Sequence, residues 1–234
     1  MLLPEPVSLA SVKLVFGDSP ALDFPVLRSS SFQFWLVVTS VWMALWFGTG
    51  CEKTLSPYES DLLQARFDKD QELKNPTKTV LRPQDLPRFS GLRYFPVDPA
   101  FRFELPLVPT ASELRVTMRE RRSNEEKNYL CVGYVDVPFA AGKQRLMVFQ
   151  LENMPKGAFW IPFTDATSGK ETYGGGRYLN VAKNKSGKLL VDFNEAYNPY
   201  CNYNPDYICT IPPRENRLTA AVRAGEMDSG LFKE

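Results

Sequence analysis

From Phe101 onward the chain is a succession of short segments at strand period, each closed by turn-forming residues, and this pattern limits the fold more than any other feature. Phe101-Arg-Phe-Glu-Leu-Pro-Leu-Val alternates apolar and polar side chains, and Pro106, with no N–H to donate, marks an edge strand. Leu114 to Met118 alternates again, and Tyr129–Val137 and Arg145–Leu151 read as strands joined near Ala141-Gly142. Phe159–Phe163, Tyr178–Val181, Leu189–Phe193 and Leu218–Val222 complete the set. Alternation at period two sends successive side chains to opposite faces, so one face can be buried. No long helical pattern separates the strands, which argues against a parallel α/β sheet. The expected class is mainly β: an antiparallel β-sandwich or compact barrel with one N-terminal helix. That helix is Glu59–Lys74, where Leu62, Leu63, Phe67 and Leu73 recur near 3.6-residue spacing, Ser60 caps the start and Asn75-Pro76 stops it. Between helix and strands, Thr77–Phe89 is a polar linker in which Asp85 starts a single helical turn.

The N-terminal fifty residues read differently. Phe34 to Phe47 is 14 residues long without a charge, short of the ~20 needed to span a bilayer and suited to the apolar region of a signal peptide. Gly48-Thr49-Gly50-Cys51 follows and is similar to the lipobox of bacterial lipoproteins, with Gly48 where Leu is usual; that resemblance implies cleavage before Cys51 and lipidation of its sulfur. The competing reading is an uncut membrane anchor with Cys51 an ordinary residue. Acidic residues in the first 25 positions are foreign to a basic signal-peptide start, so we expect translation to begin near Val26 or Leu27; a peptide covering Met1–Lys13 in the native precursor sinks that expectation. The layout is then 1–50 signal peptide or anchor, 51–58 tether, 59–226 one β-rich domain and 227–234 flexible tail.

Charge and composition exclude several functions. Lys and Arg number 28 against 27 Asp and Glu, and no basic stripe appears, so nucleic acid is not an expected partner. Arg119, Arg121 and Arg122 are offset by Glu120, Glu125 and Glu126 and read as a solvated hairpin tip. The chain has no histidine, which rules out Ser-His-Asp and Cys-His catalysis and imidazole-bound zinc. No cofactor motif and no metal site are expected.

Two segments are more densely specified than the rest. Val191–Arg217 contains Tyr-Asn-Pro twice, at Tyr197–Pro199 and Tyr203–Pro205, and the prolines make two rigid corners. The corners fix Tyr197, Tyr200, Tyr203 and Tyr207, either as the wall of a ligand pocket or as rings that fasten the loop to the sheet. At the strand end Asp192 and Asn194 share a face, where they either grip a polar ligand or cap the following loop. Cys201 and Cys209 form a disulfide candidate, with inert or reactive thiols as the alternatives; Cys131 reads as core. The second segment is Thr172-Tyr173-Gly174-Gly175-Gly176-Arg177, whose backbone can form an anion nest and whose arginine can take a carboxylate or phosphate side-on. The plain alternative is a glycine-rich turn with Arg177 paired to a structural carboxylate such as Asp192. It lacks the Gly-Lys-Ser/Thr ending of a P-loop.

Four stretches, Phe89-Ser-Gly-Leu-Arg-Tyr-Phe-Pro-Val-Asp-Pro, Ile161-Pro-Phe-Thr-Asp-Ala-Thr-Ser-Gly, Thr172-Tyr-Gly-Gly-Gly-Arg-Tyr-Leu and Asp192–Arg217 running on toward Ala224-Gly-Glu, resemble the bacterial domain of unknown function (DUF) 1684 family across residues 57–226. The resemblance implies a mostly β domain, often exported or lipid-anchored, and carries over no catalytic residue. We therefore expect an envelope lipoprotein domain, anchored to a membrane and facing the periplasm or exterior. Its ligand site for a small polar or anionic molecule is expected at Tyr173, Gly174, Gly175, Gly176, Arg177, Asp192, Asn194, Tyr197 and Asn198. The alternatives are a hydrolase-like enzyme using Asp192 or Glu195 with Glu215 as acid and base, and a purely structural envelope protein.

Overall fold

The structure is a computed structural model and describes residues 54–152 and 154–231. The chain divides at Lys53–Thr54, and the described residues form the second unit. The signal-peptide, anchor and Cys51 lipidation readings lie outside the described residues, as does the end of the tail.

Helix α1 spans Pro57–Lys74, two residues longer at its start than the periodicity implies. The cap is Ser56 rather than Ser60: Ser56 Oγ accepts from the Glu59 N–H at 3.2 Å, and the Glu59 carboxylate accepts from the Ser56 N–H at 2.9 Å. Pro57 fits the first turn because its missing N–H would have no partner there. Asn75 ends the helix. Of the four apolar residues expected to face the core, Leu62 and Leu73 are buried while Leu63 and Phe67 are exposed. The helix is held largely by polar side chains instead. Tyr58 Oη donates to Asp192 at 2.7 Å, and Arg66 donates to the carbonyls of Phe95 and Asn194, both at 3.1 Å.

Seven antiparallel strands follow. β1 (Arg102–Leu105) pairs with β7 (Leu189–Asp192) in a small sheet. β2 (Val108–Arg119), β3 (Glu126–Phe139), β4 (Gly142–Gln150), β5 (Ala158–Phe163) and β6 (Arg177–Ala182) form a five-stranded meander in that order. The two sheets do not close into a barrel. Pro106 falls between β1 and β2, and the single alternating run around it is divided between the two sheets. The expected strand at Leu218–Val222 does not form. Its backbone answers other partners: Leu218 N–H donates to Thr164 O at 2.8 Å, and Val222 O accepts from Arg177 at 2.7 Å.

Period-two alternation sorts the meander into two faces. Val135, Val137, Leu146, Val148, Ile161, Phe163, Leu179 and Val181 face the small sheet and join Leu105, Leu189, Val191 and Phe193 in the main core. Each such side chain contributes roughly 1.5–3 kcal/mol on full burial. Met118, Cys131, Phe149, Trp160 and Tyr178 lie in a second cluster on the opposite face. A third cluster, Leu73, Leu81, Phe89 and Tyr203, joins α1 and its linker to the loop after β7.

Candidate functional site

The loop after β7 builds the site. The Asp192 carboxylate caps a single 3₁₀ turn at Phe193–Glu195, accepting from the Asn194 N–H at 2.9 Å. The chain then returns to β6: Tyr197 and Tyr178 exchange backbone hydrogen bonds of 2.9 and 3.0 Å. At the proline corners the chain turns again, and Tyr203 enters the interior while Tyr200 and Tyr207 stay at the surface, their rings edge-on at 5.2 Å.

Below this loop lies a buried carboxylate, Glu226, only 2% exposed. It accepts from Lys69 Nζ, from the Tyr203 hydroxyl and, at 2.8 Å, from the Asn198 N–H. Burial first, and the neighbouring Glu226 charge second, push the Tyr203 phenol well above its ordinary pKa, so it stays a hydrogen-bond donor. Nearby, the Arg66 guanidinium lies over the Tyr94 ring at 4.5 Å. Three buried polar atoms in this neighbourhood have no hydrogen-bond partner: Arg66 Nε, Tyr94 Oη and Asn198 Oδ1.

Two clefts open here and share Lys69 and Tyr197. The larger, about 560 Å³, has aromatic walls from Trp160, Tyr178, Tyr197, Tyr200 and Tyr207, with Asn180, Asn198, Cys209 and Thr210 supplying polar atoms. Lys69 is its sole charged lining residue. Burial raises both phenols, Tyr197 to about 12 and Tyr178 well above its ordinary value, so both are neutral. The smaller cleft, about 410 Å³, is lined by Arg66, Tyr94, Asn194, Glu195 and Glu226 among others. Among the described residues no group of three His, Cys, Asp or Glu side chains is placed to hold a metal ion.

The expected site residues divide. Tyr197 and Asn198 line the larger cleft, and Asn194 lines the smaller. Arg177 and the glycines before it line neither. The reason is alternation: Arg177, Leu179 and Val181 point into the main core, and Tyr178 and Asn180 point to the cleft. Arg177 is 1% exposed and paired to Asp165 at 2.7 Å, not to Asp192, and it also donates to the carbonyls of Val222, Ala224 and Glu226. Gly174 is at the surface, while Gly176 takes φ +89° in a spot where a Cβ would meet Phe163 O at 2.7 Å.

Asp192 is spent on Tyr58, Asn194 and Arg102, and Asn194 is spent on the backbone of Asp98. The two halves of the proposed acid–base pair lie apart, because Glu215 lines a groove with Val116–Arg119 while Glu195 lines the smaller cleft. Cys201 and Cys209 are free thiols side by side, the Cys201 N–H donating to Cys209 Sγ at 3.1 Å. Tyr173 belongs with them, its hydroxyl 3.4 Å from Cys201 Sγ. Cys131 is buried as expected. The supposed tail is docked as far as Leu231: Met227 N–H donates to Arg93 O at 2.8 Å, and Ser229 N–H to Asn202 Oδ1 at 3.0 Å.

Sequence reasoning missed Lys69, Trp160, Asn180 and Glu226. A lysine within a charged helix carries no signal of its own. Trp160 sat in a run that read as plain strand. Glu226 had one hint, its position after Ala224-Gly225, where Gly225 adopts φ +77° against the carbonyls of Ala196 and Phe193.

Comparison with known proteins agrees with the β architecture. The profile of the family described as "Protein of unknown function (DUF1684)" matches residues 87–227, more than half of the chain. An uncharacterized protein of Haloarcula marismortui, solved in solution by NMR, is 29% identical, with a TM-score of 0.56 over 73% of this chain and 94% of that one. No curated protein matches the chain. The chain thus belongs to the DUF1684 family.

Proposed function

We propose that this domain binds a small ligand with a planar or apolar body and one anionic group, in the larger cleft beside α1. The observation that carries the reading is the lining itself: five aromatic rings, one ammonium and a buried, unpartnered Asn198 Oδ1. The rings take the body of the ligand. Lys69, whose ammonium already donates to Glu226 and Tyr203, turns its remaining N–H to the anionic end, and Asn198 accepts from a ligand N–H or O–H. This keeps the expected class of ligand and moves the contacts from Arg177 to Lys69. The hydrolase-like alternative has Glu195 in its favour, whose carboxyl is raised by desolvation and by the Asp192 charge. Its supposed partner Glu215 lines a different groove.

The test uses the full chain with Trp35, Trp42 and Trp46 changed to Phe, which leaves Trp160 as its sole indole. Titration with a panel of aromatic and aliphatic carboxylates and phosphates is read by Trp160 emission. We expect a saturable change for at least one anion, weakened in Lys69→Met and in Tyr207→Ala. If no anion changes the emission, or if both variants bind as the parent does, the reading falls. Envelope placement through a lipid on Cys51 also stands as a proposal, resting on residues 34–51. Palmitate labelling that persists in Cys51→Ala would refute it.

A further inference from the structure

The thiol pair behind the cleft is not absorbed by ligand binding. We propose that Cys201 and Cys209 form a peroxide-responsive dithiol site, in which Cys201, supported by the Tyr173 hydroxyl, is oxidised first and the cleft-facing Cys209 resolves it into a reversible disulfide. Four observations carry this. The sulfurs are adjacent and unbonded, and they share polar support: Cys201 N–H on Cys209 Sγ at 3.1 Å and the Tyr173 hydroxyl by Cys201 Sγ at 3.4 Å. Arg121 brings a cation to the same corner, its guanidinium 5.4 Å from the Tyr173 ring. Access is graded, for Cys201 is buried and Cys209 lines the open cleft, where a reductant can reach the disulfide. Lastly, the loop needs no covalent staple. It is already fixed by Tyr203 on Glu226, by Asn204 Nδ2 on Val80 O at 2.8 Å and by Arg121 N–H on Cys209 O at 2.8 Å.

The electrostatics agree with the geometry. The hydrogen bond with Cys209 lowers the Cys201 thiol to about 7, and the same bond raises Cys209. These describe one proton between two sulfurs, so the pair ionises once with ease and resists a second loss. The Cys201 thiolate attacks one peroxide oxygen; an S–O bond forms, the O–O bond breaks and hydroxide leaves. Cys209 sulfur next attacks the Cys201 sulfenic acid, forming S–S, and its proton leaves with the sulfenic hydroxyl as water; the proton lost when the pair first ionised neutralises the hydroxide. Two thiols and one hydrogen peroxide thus give one disulfide and two waters.

Both cysteines fall in a single tryptic peptide, Leu189–Arg214. The full chain is treated with hydrogen peroxide, alkylated, digested and weighed. We expect that peptide to become lighter by two hydrogens, to regain them with dithiothreitol, and to react before Cys131. Cys209→Ser abolishes the change. Tyr173→Phe, which keeps the ring, slows it several-fold and moves its pH profile upward. Melting curves confirm that each variant is folded, and should Cys209→Ser not fold, Tyr173→Phe carries the test. The proposal is overturned if both thiols still alkylate after excess peroxide. It is equally overturned if Tyr173→Phe reacts as wild type does, or if the disulfide resists reduction in the folded protein. None of these readings involves a cleft ligand, so failure here is separate from failure of the binding proposal.

Discussion

Replacing Arg177 with methionine removes a charge from the middle of the protein and leaves its partners behind. Asp165 is 7% exposed and would lose the guanidinium at 2.7 Å, keeping the Thr167 N–H and hydroxyl as donors. The carbonyls of Val222, Ala224 and Glu226 would lose their donor together. Breaking one side of a buried ion pair costs about 3–5 kcal/mol, because the remaining charge stays desolvated. For a domain of this size each kcal/mol moves the midpoint by about 2–4 °C, so Tm falls by about 6–20 °C. Arg177→Lys recovers only part of this, since a single ammonium cannot span a carboxylate and three carbonyls. The assay is thermal melting by circular dichroism on the full chain, with a urea titration as a second measure. A stable Arg177→Met protein that melts within a degree or two of wild type would refute the argument, and lost ligand binding in that folded variant would restore Arg177 to the binding site.

Other outcomes follow from single contacts. Tyr203→Phe deletes the phenol bond to the Glu226 carboxylate and should cost about 1.5–3 kcal/mol in a urea titration. Within the triple glycine, Gly176→Ala forces a Cβ to φ +89° against Phe163 O at 2.7 Å and should destabilise by at least about 1–3 kcal/mol. Gly174→Ala meets nothing nearer than 3.5 Å and should leave Tm unchanged. Asp85, buried between Arg82 and Arg88, has its pKa lowered chiefly by the Arg82 hydrogen bond. A depressed folded pKa gives stability above the unfolded value of 3.8 that is lost as pH falls below it, so the Tm advantage of wild type over Asp85→Asn should vanish in acid. Glu195 is raised and has the opposite sign: Glu195→Gln should match wild type at low pH and melt higher once pH exceeds the raised value.

Local rules recovered the strands because burial enforces period two, and β3 through β7 fall close to where alternation puts them. They erred where a side chain outranked the local pattern. Leu218–Val222 alternates like a strand, yet Arg177, forty-odd positions earlier, claims the carbonyl that a neighbouring strand would use. The helix cap was misread because the serine that matters precedes a proline, and its box closes with Glu59. For the site, the loop could be read because Tyr-Asn-Pro twice over is rare and rigid. Which face each ring takes could not, since that follows from the Tyr197–Tyr178 bridge. The same parity that hid Arg177 from the cleft delivers Tyr178 and Asn180 to it, so a motif can be right about position and wrong by one residue about direction.

Arg177, Asn198, Tyr203 and Lys69 all wait on acceptors supplied by the last stretch of chain, Val222 to Met227. During synthesis the meander is therefore complete while its anchoring cation holds Asp165 alone. A stop codon at position 222 would release a protein with every strand present and a central guanidinium stripped of its three carbonyl acceptors. Six residues, Val222 to Met227, thus close the last bonds to this buried centre.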